Sequence, residues 1–326
     1  MRLVTFERGS AVRLGAILDG GDILDLAAAA DLAGEAEPAF ASMLSLIDDG
    51  ERALDRSRAL AASPPGEAVL GLAEVRLLAP LPRPRQIRDF SAFEQHMLQS
   101  GKVVFALNAV RAGKAPPKGP VILPQVWYDQ PIYYKANRFA VGNPGDDVFW
   151  PAYSQVADYE LEMAAVIGRA GRDIPASEAK SHIFGYTIYN DFSARDAQGH
   201  EMTGPFGPAK GKDFDGSIIL GPCIVTADEM PDPYQARMTA KINGELWSDG
   251  SMSTIHWRFE DMIAHVSASE TIYPGEVFGA GTVGGGCGLE QERFLSDGDV
   301  VELAIEGIGT ISNRVRGNQL RGRKPG

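Results

Sequence analysis

Cysteine is nearly absent from this chain. Its 326 residues hold two, Cys223 and Cys287, far apart in sequence and away from any Cys/His cluster. That pattern offers neither a disulfide framework nor a zinc site, and it points to a reducing compartment. Long apolar runs are missing too. No stretch approaches the roughly 18 apolar residues a membrane span needs, and MRLVTFERGS has no apolar core after a basic start, so the sequence predicts neither membrane insertion nor export and the expected location is cytoplasmic. Positive charge is also short. Lys and Arg number 31 against 43 Asp and Glu, for a formal net charge of −12. Polyanion binding rests on clustered Lys and Arg, so no nucleic acid is expected as a partner.

What remains is enough apolar material, 44% of residues, to bury a large core. The first 75 residues read as a small β-containing domain. RLVTFERG and AVRLGAILDGG are strand-like, with Asp19-Gly20-Gly21 as a turn, and Phe40, Met43, Leu44, Ile47 and Leu54 recur at roughly helical spacing before Ser63-Pro64-Pro65-Gly66. Residues 76–326 form the second domain. It opens with the Pro-rich APLPRPRQI, read as an extended linker or edge strand. DFSAFEQHML follows as a short helix with Asp89 as its N-cap. Residues 100–124, with RAGKAPPKGP, read as a mobile loop or lid. Beyond Val148 the pattern is mainly β, with Asn243-Gly244 marking a hairpin and SEAKSHIF and FEDMIAHVSA the clearest helices. The fold class is therefore mainly β with α.

DYELEMAAVIG carries the chemistry. Side chains alternate along a strand, so Glu160 and Glu162 point the same way at the head of an apolar run, where unpaired carboxylates are costly. Asp191 follows the apolar strand FGYTIYN and could be only a turn residue; Asp89 could be only a cap. Together the four carboxylates, with no Cys nearby and no matched His pair, suit a hard cation: Mg2+ first, then Mn2+ or Ca2+. If the helix after Asp89 is regular, Asp89 and His96 lie two turns apart on one face and share a pocket.

The segments DYELEMAAVIG, SHIFGYTIYNDFSARDAQ and GPAKGKDF closely resemble the fumarylacetoacetate hydrolase family, over roughly Arg85 to Arg316. DFSAFEQH is more similar to the full-length fumarylacetoacetases than to the short acylpyruvase-like members. The resemblance implies a β-roll main domain, a homodimer and a small-molecule oxo-acid or diketone substrate. It makes Asp89, Glu160, Glu162 and Asp191 metal ligands, His96 the general base, and Arg195, Gln198 and Lys212 polar anchors, where a local reading would give a salt bridge to Asp196, a surface amide and a surface lysine. Tyr134 and Thr282 match substrate-binding positions. Met202 stands where the fumarylacetoacetases have a tyrosine, and GPFGPAKGKDF carries an extra residue, so another substrate is implied. Glu290 and Glu292 are the candidates to orient His96. The expected activity is metal-dependent hydrolysis of a C–C bond in an acylpyruvate-like or 1,3-diketone substrate through an enolate. Decarboxylation, hydration, dehydration or isomerisation of a 2-oxo acid on the same site is the alternative.

Overall fold

The computed structural model describes residues 1–111, 113–115, 118–204, 206–320 and 322, with residues 107, 108, 110 and 111 described by their backbone alone. Its centre is a strand whose every residue, Leu161–Ile167, is buried, because LEMAAVI has apolar neighbours on both faces. This strand lies antiparallel between Ile183–Asp191 and Glu276–Gly279 in a twelve-stranded sheet. Outward on one side come Gln86–Phe90, parallel to Glu276–Gly279, and then Tyr133–Ala136. On the other side Ile218–Thr226 leads to the N-terminal strands. Arg2–Arg8 pairs with Ile218–Thr226 through Leu3 and Ile224, and Ala11–Ile17 continues beyond it. The N-terminal β unit thus extends the main sheet across residue 75.

A second, five-stranded sheet runs in the order Glu245–Ser251, Arg237–Ile242, Val300–Ile305, Gly309–Arg316, Asp147–Phe149. Its first hairpin turns at Asn243 and Gly244, with φ of 52° and 82°. Two consecutive positive φ values are what the tight I′ hairpin demands, and Asn-Gly supplies them. Mainly β architecture with added helices is what the sequence pattern predicts, and FEDMIAHVSA does form the helix Phe259–Ser267.

Two local expectations are overturned. Asp89 is not an N-cap: it lies within the strand Gln86–Phe90, and the helix starts at Glu94. Its strand partners are Gly279 and Tyr134, distant in sequence, so the long-range pairing outweighs the local capping signal. The shared helical face proposed for Asp89 and His96 therefore does not exist. Nor are residues 100–124 one loop. The helix runs from Glu94 to Arg111, since KVVFALNAVR contains no proline to stop it, and a second short helix begins at Gln125. Within that stretch Ala112, Pro116 and Pro117 lie outside the described residues. APLPRPRQI is irregular up to Arg85 and feeds a strand that has neighbours on both sides rather than an edge.

Candidate active site

Three strands bring three carboxylates together. Asp89 stands on Gln86–Phe90, Glu162 on Leu161–Ile167 and Asp191 at the end of Ile183–Asp191. One oxygen from each lies within 4.8 Å of the others. All three residues are buried. A glycine makes the approach possible: a Cβ at Gly279 would stand 2.6 Å from Asp89 Oδ1 and 3.2 Å from Glu162 Oε2. Glu162 Oε2 accepts the Gly281 N–H at 3.0 Å, and Thr282 donates its hydroxyl to Oε1 at 3.4 Å.

Such a cluster is electrostatically unfavourable as it stands. Burial first, and then the charge of Asp191, push the Asp89 carboxyl well above its ordinary range. Burial and then Asp89 do the same to Glu162. Asp191 is also raised, by burial first, although Lys212 opposes the shift. Asp89 Oδ1 and Asp191 Oδ1 find no hydrogen-bond partner among the described residues. Unpartnered buried carboxylate oxygens converging on one point, with no soft donor among them, fit a hard divalent cation.

Glu160 behaves differently from the other three predicted metal ligands. Its Oε1 meets Arg195 Nη1 at 2.7 Å and its Oε2 meets Lys212 Nζ at 2.6 Å, so it stands outside the converging trio with both oxygens occupied. Burial works against its charge, yet Lys212 and Arg195 together hold its carboxyl well below the usual range. Lys212 also donates to Asp191 Oδ2 at 2.6 Å, linking Glu160 to the trio. The lysine is buried, and burial lowers its pKa less than Asp191 and Glu160 raise it. Its loop is held by Glu201, whose carboxylate accepts the backbone N–H groups of Ala209, Lys210 and Gly211.

Arg195 is not paired with Asp196, which instead accepts from the Ser154 hydroxyl and the Gln155 N–H. It is buried between Glu160 and Asp158, and its Nη1 also donates to Gln198 Oε1 at 2.9 Å. Gln198 is half-buried. Tyr134 donates its hydroxyl to Asp191 Oδ2 at 2.7 Å. Tyr134 and Thr282, expected at substrate, thus both touch the carboxylates directly.

His96 sits on the helix Glu94–Arg111 with its Nδ1 in contact with Glu290 Oε1. Glu290, not Glu292, is its partner; Glu292 ends the short helix Gly288–Gln291 in a left-handed conformation with φ 54°. The His96 side chain stays 13% exposed while that of Glu290 is 1% exposed, which leaves the imidazole as the accessible member. A positive charge on His96 would add to the lowering of the Glu160 carboxyl by Lys212 and Arg195.

Sequence reasoning missed Asp158. It is fully buried and accepts from the N–H groups of Gly288 at 2.8 Å and Leu289 at 2.9 Å, while Arg195 Nε donates to it at 2.8 Å. The signal was present: Asp158, Glu160 and Glu162 alternate, so three acids, not two, share the period of the strand.

The Fumarylacetoacetate (FAA) hydrolase C-terminal family model matches residues 87–316. The chain belongs to the fumarylacetoacetate hydrolase family. Its fold is that of the family, with an N-terminal β unit before the family domain, and it is an enzyme of that superfamily. Human mitochondrial oxaloacetate tautomerase FAHD2A is 34% identical over 276 residues, 84% of this chain and 79% of that protein. Oxaloacetate tautomerase YisK of Bacillus subtilis (strain 168) is 30% identical over 325 residues, 97% of this chain and 100% of that protein. Among solved structures, maleylpyruvate hydrolase from Sphingobium sp. SYK-6, in complex with manganese(II) and pyruvate, superposes with a TM-score of 0.71 at 26% identity, covering 97% of this chain and 99% of that one. Among the described residues no helix is long and apolar enough to cross a membrane.

Proposed function

We propose that this protein interconverts the keto and enol forms of a 2-oxo diacid of the oxaloacetate type, moving one proton between carbon and oxygen. The observation that carries the reading is that Glu160 ties two buried cations to the carboxylate trio. Arg195 and Lys212 both hold Glu160, Lys212 reaches on to Asp191 of the trio, and His96 is paired with Glu290. The tautomerase relatives support the same reaction class.

Asp89, Glu162 and Asp191 would hold a divalent ion, Mg2+ or Mn2+, with Glu160 beside them. When bound, such an ion polarises substrate oxygens and favours enolate character as a Lewis acid. The protein's own groups do the rest. In the enol-to-keto direction His96 accepts the enol hydroxyl proton and the substrate carbon takes one back, so the carbon skeleton and the overall proton count are unchanged. Glu290 fixes the imidazole tautomer by accepting at Nδ1, leaving Nε2 for substrate. Arg195, with Gln198, and Lys212 set positive charge where negative charge develops on oxygen, and they need no reorganisation because Asp158 and Glu160 already fix them. Tyr134 and Thr282 brace Asp191 and Glu162.

Hydrolysis of a C–C bond in an acylpyruvate-like compound is a second reading, favoured by the His96–Glu290 pair, the arrangement that general-base activation of water needs. The cleaved carbon would leave as an enolate and be protonated. A homodimer fits either reaction. The deciding experiment mixes the protein and Mn2+ with enol-form 2-oxo diacid, and separately with acylpyruvates, and follows products by mass spectrometry. Loss of the enol absorbance at unchanged substrate mass is expected; two smaller acids from the acylpyruvate, with no enol conversion, would instead establish the hydrolase.

A further inference from the structure

Beside the all-oxygen carboxylate trio lies a second group of metal-binding side chains with a different chemistry. A ring nitrogen of His96, the Cys287 Sγ and a carboxylate oxygen of Glu290 lie within 4.8 Å of one another. Cys287 is fully buried and the Glu290 side chain nearly so. Glu290 Oε1 is taken by His96, but its Oε2 has no hydrogen-bond partner among the described residues. A buried carboxylate oxygen left in that state is costly. Arg195, held between Asp158 and Glu160, makes no hydrogen bond to it and helps only through its charge.

Thiol, imidazole and carboxylate are the donor types of zinc, which takes three such protein ligands and leaves a fourth position open. Mg2+ prefers an octahedron of oxygens and would choose the trio instead. Charge agrees with the choice of ion. A thiolate and a carboxylate neutralise a dication, so the filled site carries no net charge into a buried region where net charge is expensive.

We infer that His96, Cys287 and Glu290 form a second, thiophilic site that takes Zn2+, and that filling it stops catalysis by occupying the His96 imidazole. Binding replaces the Cys287 thiol proton, which leaves to solvent. His96 stays neutral, with one proton on the nitrogen away from the ion, and Glu290 exchanges its contact with His96 for the ion. The ligand set does not depend on the proposed reaction; only the turnover arm of the test does.

The test uses the full chain saturated with Mg2+. Co2+ is added as a spectroscopic stand-in for Zn2+, and a thiolate-to-cobalt charge-transfer band in the near ultraviolet is the expected result, erased by competing Zn2+. Cys287→Ala and Cys287→Ser are expected to lose the band, to keep turnover with Mg2+, and to lose the inhibition that an equimolar amount of Zn2+ imposes on the parent. Absence of the band in the parent overturns the site, as does a band that survives in either variant, since Cys223 would then be its source. Zn2+ inhibition undiminished in the variants overturns the inhibitory role, pointing to displacement at the carboxylates. Where one Cys287 variant fails to fold the other assigns the band, and neither the band nor its assignment needs turnover.

Discussion

Asp158 and Arg195 form a buried ion pair in which one carboxylate oxygen accepts from Nε at 2.8 Å and lies 2.7 Å from Nη2. The same carboxylate accepts two N–H groups from the turn that leads to Glu290. The position of the cation and that of the histidine's partner are therefore set by one side chain.

Removing it has a definite cost. Breaking a buried pair from one side costs about 3–5 kcal/mol because a charge is left uncompensated. Arg195 keeps Glu160, so Asp158→Ala is expected near the lower end, about 3 kcal/mol. Urea unfolding with an unchanged slope and a lower midpoint is the check; a change of a few tenths would mean Asp158 carries little.

If the trio holds the ion, as proposed, metal stabilises the fold. At an ion concentration of about 100 times Kd, folding should gain about 2.7 kcal/mol. Calorimetric melting should show Mn2+ or Mg2+ raising Tm of the parent, with most of the rise gone in Asp191→Asn, which retains shape but loses charge. An equal rise in the variant would contradict the trio as ligands.

Acidity enters with a worked sign. Asp89 and Glu162 have folded-state pKa values raised above their unfolded ones, by burial first. Their contribution to stability is complete below the unfolded value, about 4, and is lost as pH rises through the folded values. Glu160, lowered by its two cations, runs the opposite way, its contribution present above the unfolded value and lost as pH falls through the folded one. Chelator-treated protein should therefore lose stability as pH climbs from about 4 through the raised values, while metal-loaded protein should not. Metal binding in that window should release protons. Isothermal titration in buffers of different ionisation enthalpy measures the number released, and no release would contradict the shifts.

His96 and Glu290 should separate in their kinetics. His96→Asn is expected to lower kcat by about 10²–10⁴-fold, the usual contribution of a positioned base. Glu290→Gln keeps the base but weakens its orientation, so a smaller loss and an altered pH–rate profile are expected. A loss confined to KM in both variants would make the pair a binding element.

How much of this was legible follows from range. The carboxylates of DYELEMAAVIG and the Asp191 after FGYTIYN could be read because two-residue alternation is a local property of strands. Asn243-Gly244 announced its hairpin for the same reason. Asp89 could not be placed, because DFSAF imitates a capped helix and only pairing with Glu276–Gly279 makes it a strand. The grip of Glu201 on the Lys212 loop, and the choice of Glu290 over Glu292, depend on chain crossings that no periodicity records. Glu160 could be recognised as functional but not separated from its neighbours, since its two cations arrive from residues 195 and 212.

The proposed reaction needs a metal-holding trio and a histidine base acting together on an enolisable 2-oxo diacid. Stopped-flow decay of the freshly dissolved enol form, with and without Mn2+ and in His96→Asn, addresses it most directly. Acceleration that needs both the ion and His96, with the diacid recovered intact, is the predicted result. Decay no faster than in buffer containing Mn2+ alone would contradict it.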